Sequence, residues 1–426
     1  MAQIKSLKIK NGVNLHIIKE KKFKTVQFLI RFRTKMSRDT VAKRVLISNL
    51  WETSNEQLPT SQQFQKKLSG MYGASFATSL SKKGDNHFLT IGMSVVNPKF
   101  VASDTITEAI SLIHQALFMP LVDEYGFDEA TFDREKKNLL QYLASTREDK
   151  AYVAATKLTA LFFTDKDMAT PSISTVDLLA KETRESVYEY YQKMLQTDTI
   201  DISILGDLTL SEEQAIIAQF SKLPFTDRVP LASILYKQDR ASICQEATEK
   251  EAVNQSILQL GYHHAVTFGD ENYLTMQVLN GILGGFSHAK LFTTVREKES
   301  LAYYANSRFD SFTGFLKISA GIDAADHDKA LTLIKAQVAA LVAGDISDSE
   351  LSQTKNMLRN AYFIALDSPT NLIEQAYIQT LLPDHYLAQA EWLQRLADVT
   401  KEDVVRLAGT LSLQAVYFME GDALGD

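Results

Sequence analysis

Apolar and polar residues alternate with two different periods along the chain, and these periods predict strands and helices. Residues 87–96 (HFLTIGMSVV) and 316–322 (LKISAGI) have the spacing of strands with one apolar side. Residues 328–344 (DKALTLIKAQVAALVAG) have the spacing of a helix that buries one face. Two alternating runs meet at Asn11-Gly12, a dipeptide typical of a type I′ hairpin turn. Each half of the chain mixes strands with helices, so we predict an α+β fold.

Several positions have the pattern of a helix start, in which a hydroxyl residue is followed three positions later by an amide or an acid. The pairs are Thr60 with Gln63, Ser211 with Gln214, Ser347 with Glu350, and Thr400 with Asp403. They occur in both halves of the chain, so we expect helices in both.

Similar segments recur in the same order in the two halves, which predicts an internal duplication. The similar pairs are 66–95 with 296–322, 127–140 with 347–358, and 181–208 with 399–424. A polar stretch with weak periodicity separates the halves. We therefore predict an N-terminal domain over 1–225, a linker over 226–250 and a C-terminal domain over 251–426.

Composition and charge exclude several classes of function. The chain has 426 residues with 45 Lys and Arg against 52 Asp and Glu, and its net charge of -7 would repel a nucleic-acid backbone. No window approaches the ~18 uncharged apolar residues of a membrane-spanning helix, and the first residues do not form a signal-peptide core. The single cysteine, Cys244, allows no intrachain disulfide and fits a reducing compartment. We expect a cytoplasmic protein without nucleic-acid or membrane partners.

The sequence lacks the local motifs of a self-sufficient catalyst. No two of the eight histidines lie three, four or five residues apart, which excludes the zinc motifs H-E-x-x-H and H-x-x-E-H. His263 and His264 are adjacent and fit a strand, where they would point to opposite sides. There is no G-x-S-x-G elbow or Gly-rich phosphate loop, and Cys244 lies in the predicted linker, where a nucleophile is rare. These residues argue against a peptidase that works alone.

One segment, residues 280–310, is dense in glycines, charges and aromatic residues (NGILGGFSHAKLFTTVREKESLAYYANSRFD). It resembles the second-domain motif of the insulinase/pitrilysin metallopeptidases, the family of the mitochondrial processing peptidases. That motif runs roughly L-G-G-G-x-S-S-R-L-F-x-x-[IV]-R-E-K-x-G-L-A-Y. Gly284 and Gly285 match its start, and Arg296 and Tyr303 match its end. The resemblance covers nearly the whole chain. It implies two α/β sandwich domains, each a twisted, mostly antiparallel sheet with helices on one side, joined by a linker into a clam shell.

The resemblance also implies that the zinc site is lost. Active members carry H-x-x-E-H near the start of the chain and a distal Glu as third ligand. Here the histidines correspond to Leu46 and Leu50, the catalytic Glu to Asn49 and the distal Glu to Tyr142. Leucine cannot ligate zinc, and an asparagine cannot take a proton from metal-bound water. We expect no metal and no cofactor in this chain, and methyl groups packed at the former site.

The second half keeps the residues that assist catalysis in active relatives. By the resemblance, Arg296 holds a substrate carbonyl and Tyr303 donates a hydrogen bond to the oxyanion. Gly284 and Gly285 would let a peptide approach the backbone. Plain structural roles are open as well: Arg296 could pair with Glu299 on one helix face, and Tyr303 could pack on a strand. The two glycines could simply break a helix.

In resembling bacterial two-chain enzymes, one subunit carries the zinc and the other carries the Arg/Tyr pair. We therefore expect a zinc-free, non-catalytic subunit that processes peptides together with a zinc-bearing partner of the same fold. Arg296 and Tyr303 would complete the composite site. The alternative is a structural or peptide-binding scaffold of the same fold without a role in proteolysis. A third hypothesis is a peptidase active alone, and a homodimer of the isolated chain is left open.

Overall fold

The structure is a computed structural model that describes residues 3–231 and 233–422. Its strands, numbered in chain order, are β1 (Gln3–Lys10), β2 (Val13–Lys19), β3 (Thr25–Lys35), β4 (Ser75–Lys83), β5 (Asn86–Val96), β6 (Val122–Asp123), β7 (Gly126–Phe127), β8 (Thr199–Gly206), β9 (Gln245–Glu251), β10 (Ser256–His263), β11 (Ala302–Asp310), β12 (Phe315–Ile322) and β13 (Ser412–Gly421).

Its helices are α1 (Arg38–Thr53), α2 (Ser61–Gly70), α3 (Thr105–Phe118), α4 (Glu129–Ser145), α5 (Lys150–Phe162), α6 (Lys166–Ala169), α7 (Val176–Ala180), α8 (Arg184–Thr197), α9 (Leu210–Lys222), α10 (Tyr273–Asn280), α11 (His327–Val342), α12 (Asp348–Ala365), α13 (Pro369–Leu381), α14 (Gln389–Asp398) and α15 (Lys401–Ala408). Two π-helical segments, Gly281–Gly285 and Leu291–Lys298, lie between α10 and β11. Short 3₁₀ turns occupy Pro98–Phe100, Ala324–Asp326 and Pro383–His385. None of the described helices is both long enough and apolar enough to cross a membrane.

The chain forms two compact units, and each contains one large mixed sheet. The first unit takes the chain up to Ser145, Thr170–Ile234 and Asp367–Leu381, and the second takes Thr146–Ala169, Leu235–Leu366 and the chain from Leu382. The strand orders are β1-β2-β8-β3-β5-β4 and β11-β12-β10-β13-β9. Only β2 with β8 and β9 with β13 are parallel neighbours within these described sheets. Five strands therefore follow the same order in both units, β4-β5-β3-β8-β2 and β11-β12-β10-β13-β9, and the predicted duplication is present in the topology.

Each sheet has helices on both faces, whereas the family resemblance implied helices on one side only. In the first unit, α1, α3 and α8 share one core with sheet residues such as Phe28 and Ile202. The opposite face is covered by α13, whose Ile373 packs with Ile18 and Leu205. In the second unit, α5 packs on the corresponding face of its sheet. α13 comes from the C-terminal half of the sequence and α5 from the N-terminal half, so each covers the sheet of the unit formed mainly by the other half. A local sequence pattern does not predict such a distant contact.

The predicted hairpin at Asn11-Gly12 is present, but its turn is not type I′. Strands β1 and β2 pair Lys10 with Val13, and Gly12 has φ 71°. Asn11 does not have a positive φ, whereas a type I′ turn needs one at both central residues. A glycine is still required, because a Cβ at position 12 would lie 2.4 Å from Cγ of Arg228.

The other local predictions are mostly confirmed. Strands β5 and β12 and helix α11 cover the segments predicted at 87–96, 316–322 and 328–344. The predicted start at Ser211 is wrong by two residues, because Thr209 is the N-cap of α9 and forms the capping box with Glu212. The remaining predicted N-caps are confirmed, namely Thr60, Ser347 and Thr400.

Part of the predicted linker is regular structure. The described residues of 226–244 form no helix or strand, but Gln245–Glu251 is strand β9, which pairs in parallel with β13. β9 lies at the sheet edge and none of its residues is buried, so its sequence QEATEKE is polar on both sides. A strand without apolar alternation escapes a search for that pattern. The limits 1–225, 226–250 and 251–426 stay a prediction, since the compact units combine segments from both halves.

Candidate functional site

The positions that correspond to the zinc motif lie on α1, in the core of the first unit. Leu46 is 0% exposed and Leu50 is 4% exposed, and both belong to the main apolar cluster. Their spacing of four residues puts them on one face of the helix, which is the face that packs inward. Asn49 is half-buried beside them. Where active relatives have zinc ligands, α1 therefore has two packed leucine side chains and the side-chain amide of Asn49.

Tyr142, the position of the distal ligand, does not join this cluster. It lies on α4 and is 55% exposed, whereas Leu139 and Leu143 of the same helix are buried. Within residues 3–231 and 233–422, no three His, Cys, Asp or Glu side chains lie close enough together to hold a metal ion. The structure therefore brings Leu46 and Leu50 together and leaves Tyr142 at the surface.

Arg296 lies on the π-helical segment Leu291–Lys298 of the second unit, and its side chain is exposed. Its guanidinium carbon is 4.6 Å from the centre of the Phe292 ring, a cation–π contact that fixes the stem of the side chain. Among the described residues this ring contact is the interaction found for the Arg296 side chain, and no ion pair with Glu299 is present. Its hydrogen-bond donors are thus not committed to the pairing that the structural alternative requires.

Tyr303 lies at a β-bulge on the edge strand β11. The pairing with β12 shifts between Ala302, opposite Ile322, and Tyr304, opposite Gly321, so Tyr303 is the extra residue. Bulges redirect side chains, and Tyr303 is 61% exposed. Its hydroxyl donates to Oδ1 of Asp323 at 3.2 Å. This hydrogen bond to a carboxylate raises the pKa of the Tyr303 hydroxyl.

Gly284 and Gly285 lie in the first π-helical segment, where it passes close to β11. A Cβ on the buried Gly284 would stand 2.6 Å from the amide nitrogen of Ser307, and one on the exposed Gly285 would stand 2.9 Å from Nδ2 of Asn280. Ser307 Oγ also donates to Oδ1 of Asn280 at 2.8 Å. Close packing of this segment against the strand accounts for Gly284 without a ligand.

A buried polar network on α1 was missed by the sequence analysis. Arg44 is 0% exposed and donates to the carboxylate of Asp198 and, at 2.8 Å, to the carbonyl of Phe32. Its Nε donates to Nδ1 of His87 at 2.9 Å, and Nε2 of His87 donates to the carbonyl of Ser172 at 2.8 Å. Burial, together with the Arg44 charge, lowers the pKa of His87 to about 3, so the ring is neutral. Residues this far apart in sequence leave no local motif.

Comparisons with known proteins identify the family. The family model described as "Peptidase M16 inactive domain" matches residues 181–358. The "probable inactive metalloprotease YmfF" of Bacillus subtilis (strain 168) is 31% identical over 425 residues, which is 99% of each chain. The chain belongs to the M16 peptidase family. It is a homologue of an inactive M16 metalloprotease, and the resemblance drawn from its motif is confirmed.

The chain is also similar to a further curated relative and to solved structures. The "uncharacterized zinc protease YmxG" of Bacillus subtilis (strain 168) is 24% identical over 287 residues, or 67% of this chain and 69% of the relative. The crystal structure of a conserved protein from Enterococcus faecalis has 40% sequence identity and a TM-score of 0.95, covering 99% of this chain and 100% of that one. The crystal structure of a peptidase M16 inactive domain from Pseudomonas fluorescens has 18% sequence identity and a TM-score of 0.80, covering 100% of this chain and 99% of that one. The predicted two-domain α+β fold is confirmed.

Proposed function

We propose that this M16 homologue acts as the zinc-free subunit of a two-chain peptidase. Its partner is a zinc-bearing chain of the same fold in the same compartment, the cytoplasm. The partner supplies the metal-activated water, and this chain supplies Arg296 and Tyr303 to the composite site. The substrate is an unfolded peptide that adds as a strand to a sheet edge, where backbone hydrogen bonds give affinity with modest sequence selectivity.

One observation carries the proposal, namely the contrast between the two units. Leu46 and Leu50, at the positions that correspond to the zinc-binding histidines, are buried in the core of the first unit. Arg296 and Tyr303 of the second unit are exposed, with their polar groups at the surface. An arginine and a tyrosine kept for packing alone would be expected to bury more of their area. The YmxG similarity supports the existence of zinc-bearing relatives of this fold.

The chemistry follows from the donors. The guanidinium of Arg296 can donate hydrogen bonds to the oxygen of a peptide carbonyl and so orient the scissile bond. The Tyr303 hydroxyl can donate to the oxyanion that forms when the carbonyl is attacked, once its hydrogen bond to Asp323 is broken. This exchange costs little, because Tyr303 and Asp323 are both exposed to water.

The test is turnover of the reconstituted pair with the variant Tyr303→Phe. Loss of one oxyanion donor should lower kcat by roughly 10²-fold, with a smaller change in KM. The matched control is Tyr125→Phe, which removes the hydroxyl of another exposed tyrosine in the first unit. Unchanged turnover for Tyr303→Phe would discard the role.

A metal assay on the isolated chain tests the other half of the proposal. We expect less than about 0.1 zinc per chain after dialysis, because Leu46 and Leu50 offer no ligand atoms. Stoichiometric zinc would contradict the alignment of the motif.

The second candidate is a peptide-binding or structural scaffold of the M16 fold, favoured by the complete replacement of the zinc motif by Leu46, Asn49 and Leu50. Affinity purification from the native cell separates the two. A co-purifying chain with H-x-x-E-H supports the two-chain peptidase, whereas a large assembly without such a chain supports the scaffold.

A further inference from the structure

Strand β4 is an edge that should invite pairing with another strand. Among the described residues it pairs with β5 alone. Residues 75–81 (SFATSLS) contain no charge, proline or glycine. An uncharged edge strand presents a row of unpaired amides and carbonyls, which is the usual template for strand addition and aggregation.

Helix α1 reaches this edge with two side chains spaced four residues apart. The amide of Thr78 donates to Oε1 of Glu52, and the hydroxyl of Thr78 donates to the same oxygen at 2.5 Å. Ser48 completes the contact, with its Oγ 2.6 Å from Oγ1 of Thr78. Ser48 is 2% exposed, whereas Glu52 and Thr78 are half-buried, so the contact lies at the boundary between core and solvent.

The direction of the Thr78 amide decides what this contact does. In an antiparallel pair, alternate residues point their backbone N–H and C=O groups away from the partner strand. The amide of Thr78 is bound to Glu52, so it lies on the open side of β4 and not in the ladder with β5. It is the central outward amide of the segment 75–81. An added strand would need it.

We propose that Glu52 closes the β4 edge of this chain against strand addition. The Glu52 carboxylate accepts the hydrogen bond from the Thr78 amide that the carbonyl of an incoming strand would otherwise accept. The negative charge of the carboxylate also repels that carbonyl oxygen. A hydrogen bond to a charged acceptor shifts an equilibrium by roughly ten- to a hundredfold, which is enough to keep short extended segments off the edge. The proposal concerns the β4 edge alone and does not involve Arg296 or Tyr303. The substrate strand of the proposed function would add at another edge, so the two proposals stand or fail separately.

The experiment uses the full chain and the variants Glu52→Ala, Glu52→Gln and Glu56→Ala. Glu56 is a matched control, an exposed acid four residues further on without a described hydrogen bond to β4. The probe is a fluorescein-labelled peptide with the sequence SFATSLS, which can pair antiparallel with β4, and its binding is followed by anisotropy. We expect Glu52→Ala to bind it at least about tenfold more tightly than wild type. Glu52→Gln keeps an acceptor oxygen and should stay within about threefold, and Glu56→Ala should equal wild type.

Hydrogen exchange provides a second readout that needs no peptide. The amide of Thr78 should be protected in the wild type although it lies on an edge, and it should exchange at least about tenfold faster in Glu52→Ala. Equal peptide affinity of wild type and Glu52→Ala overturns the proposal, and so does unchanged exchange at Thr78. Fast exchange of this amide in the wild type overturns it whether or not the variant folds.

Discussion

Tyr303 has a single hydroxyl proton, and its partner in this structure is Asp323. The proton cannot be donated to Asp323 and to an oxyanion at the same time. Asp323 therefore holds the side chain in one orientation and competes with the proposed substrate contact. Asp323 precedes the 3₁₀ turn Ala324–Asp326, but its side chain accepts no capping hydrogen bond from that turn. The described hydrogen-bond donor to the Asp323 carboxylate is Tyr303.

The variant Asp323→Ala should lower the pKa of Tyr303 towards the ordinary value for tyrosine. The carboxylate stabilises the protonated hydroxyl, and its removal makes deprotonation easier. The measurement is an NMR titration of ¹³Cζ-labelled tyrosine, with the signal assigned through Tyr303→Phe. Asp326→Ala removes a nearby carboxylate that has no described bond to Tyr303, and it should leave the titration unchanged. An unchanged titration in Asp323→Ala would show that the hydrogen bond does not form in solution.

Ser300 joins the second π-helical segment to β11 with φ 51°, in the left-handed region. The family motif has a glycine at this position, for which such a conformation carries no steric cost. For an L residue the cost is about 1 kcal/mol. Ser300→Gly should therefore raise the free energy of unfolding by about 0.5 kcal/mol, after the greater entropy of the unfolded glycine is subtracted. Urea denaturation measures the change, with Ser300→Ala as the control that keeps the strain. A loss of stability on Ser300→Gly would contradict this account.

At the scale of elements, the Arg44 network ties α1 to the sheet that it covers. Arg44 bonds Asp198 at the end of α8, His87 on β5 and the carbonyl of Phe32 on β3. Both members of the ion pair are fully buried. Removal of one member of such a pair leaves the other charge without compensation, and this is far more costly than removal of both.

Arg44→Met should lower the free energy of unfolding by about 3 to 5 kcal/mol. The double variant Arg44→Met with Asp198→Asn should recover part of this loss, since the uncompensated charge is then absent. Chemical denaturation of the wild type, both single variants and the double variant gives the coupling. A loss below about 1 kcal/mol for Arg44→Met would mean that the network is not formed as the structure has it.

The sequence predicted those elements whose pattern is local. Apolar alternation located β5 and β12, and the pair Ser347 and Glu350 located the start of α12. The same method placed the start of α9 wrongly at Ser211, because Thr209 offers a competing capping box. It missed β9, which is polar on both faces, and it could not foresee the bulge that turns Tyr303 outward. Register depends on the partner strand, which a single segment does not encode.

At the scale of the whole molecule, the contacts missing from the sequence analysis are those between distant segments. In the first unit, α13 is held by Arg31, which bonds Glu374 at 2.6 Å, and by Tyr377, which donates to Asp201 at 3.1 Å. In the second unit, Lys157 of α5 bonds Glu249 of β9 at 2.7 Å. A duplicated chain that exchanges one helix between its halves cannot be divided at a single linker into two complete cores. The similar segments of the sequence predicted the duplication, and the structure adds the exchange of one helix.

Each unit also contains a buried histidine that makes the folded chain sensitive to acid. Burial, together with the Arg44 charge, lowers the pKa of His87 in the first unit to about 3. Burial lowers the pKa of His264 in the second unit to about 4. The ordinary value in an unfolded chain is about 6.5. At a pH between the folded and unfolded pKa values, each histidine is protonated in the unfolded chain and neutral in the folded chain. The stability that the neutral rings contribute is therefore fully present above about pH 6.5 and is lost as the pH falls towards 4.

The free energy of unfolding should therefore be about 2 kcal/mol lower per histidine at pH 5 than at pH 7.5. Urea denaturation at a series of pH values measures this loss, with tryptophan fluorescence reporting on Trp51 in the first unit and Trp392 in the second. The ring nitrogens of His264 approach backbone groups of Val266 and Phe315 without a regular hydrogen bond among the described residues. His264→Leu should therefore remove the pH-dependent loss of the second unit without a large loss of stability at pH 7.5. His87→Leu should be costly at every pH, because Arg44 then loses an acceptor. A pH profile of His264→Leu as steep as that of the wild type would show that His264 does not titrate with folding.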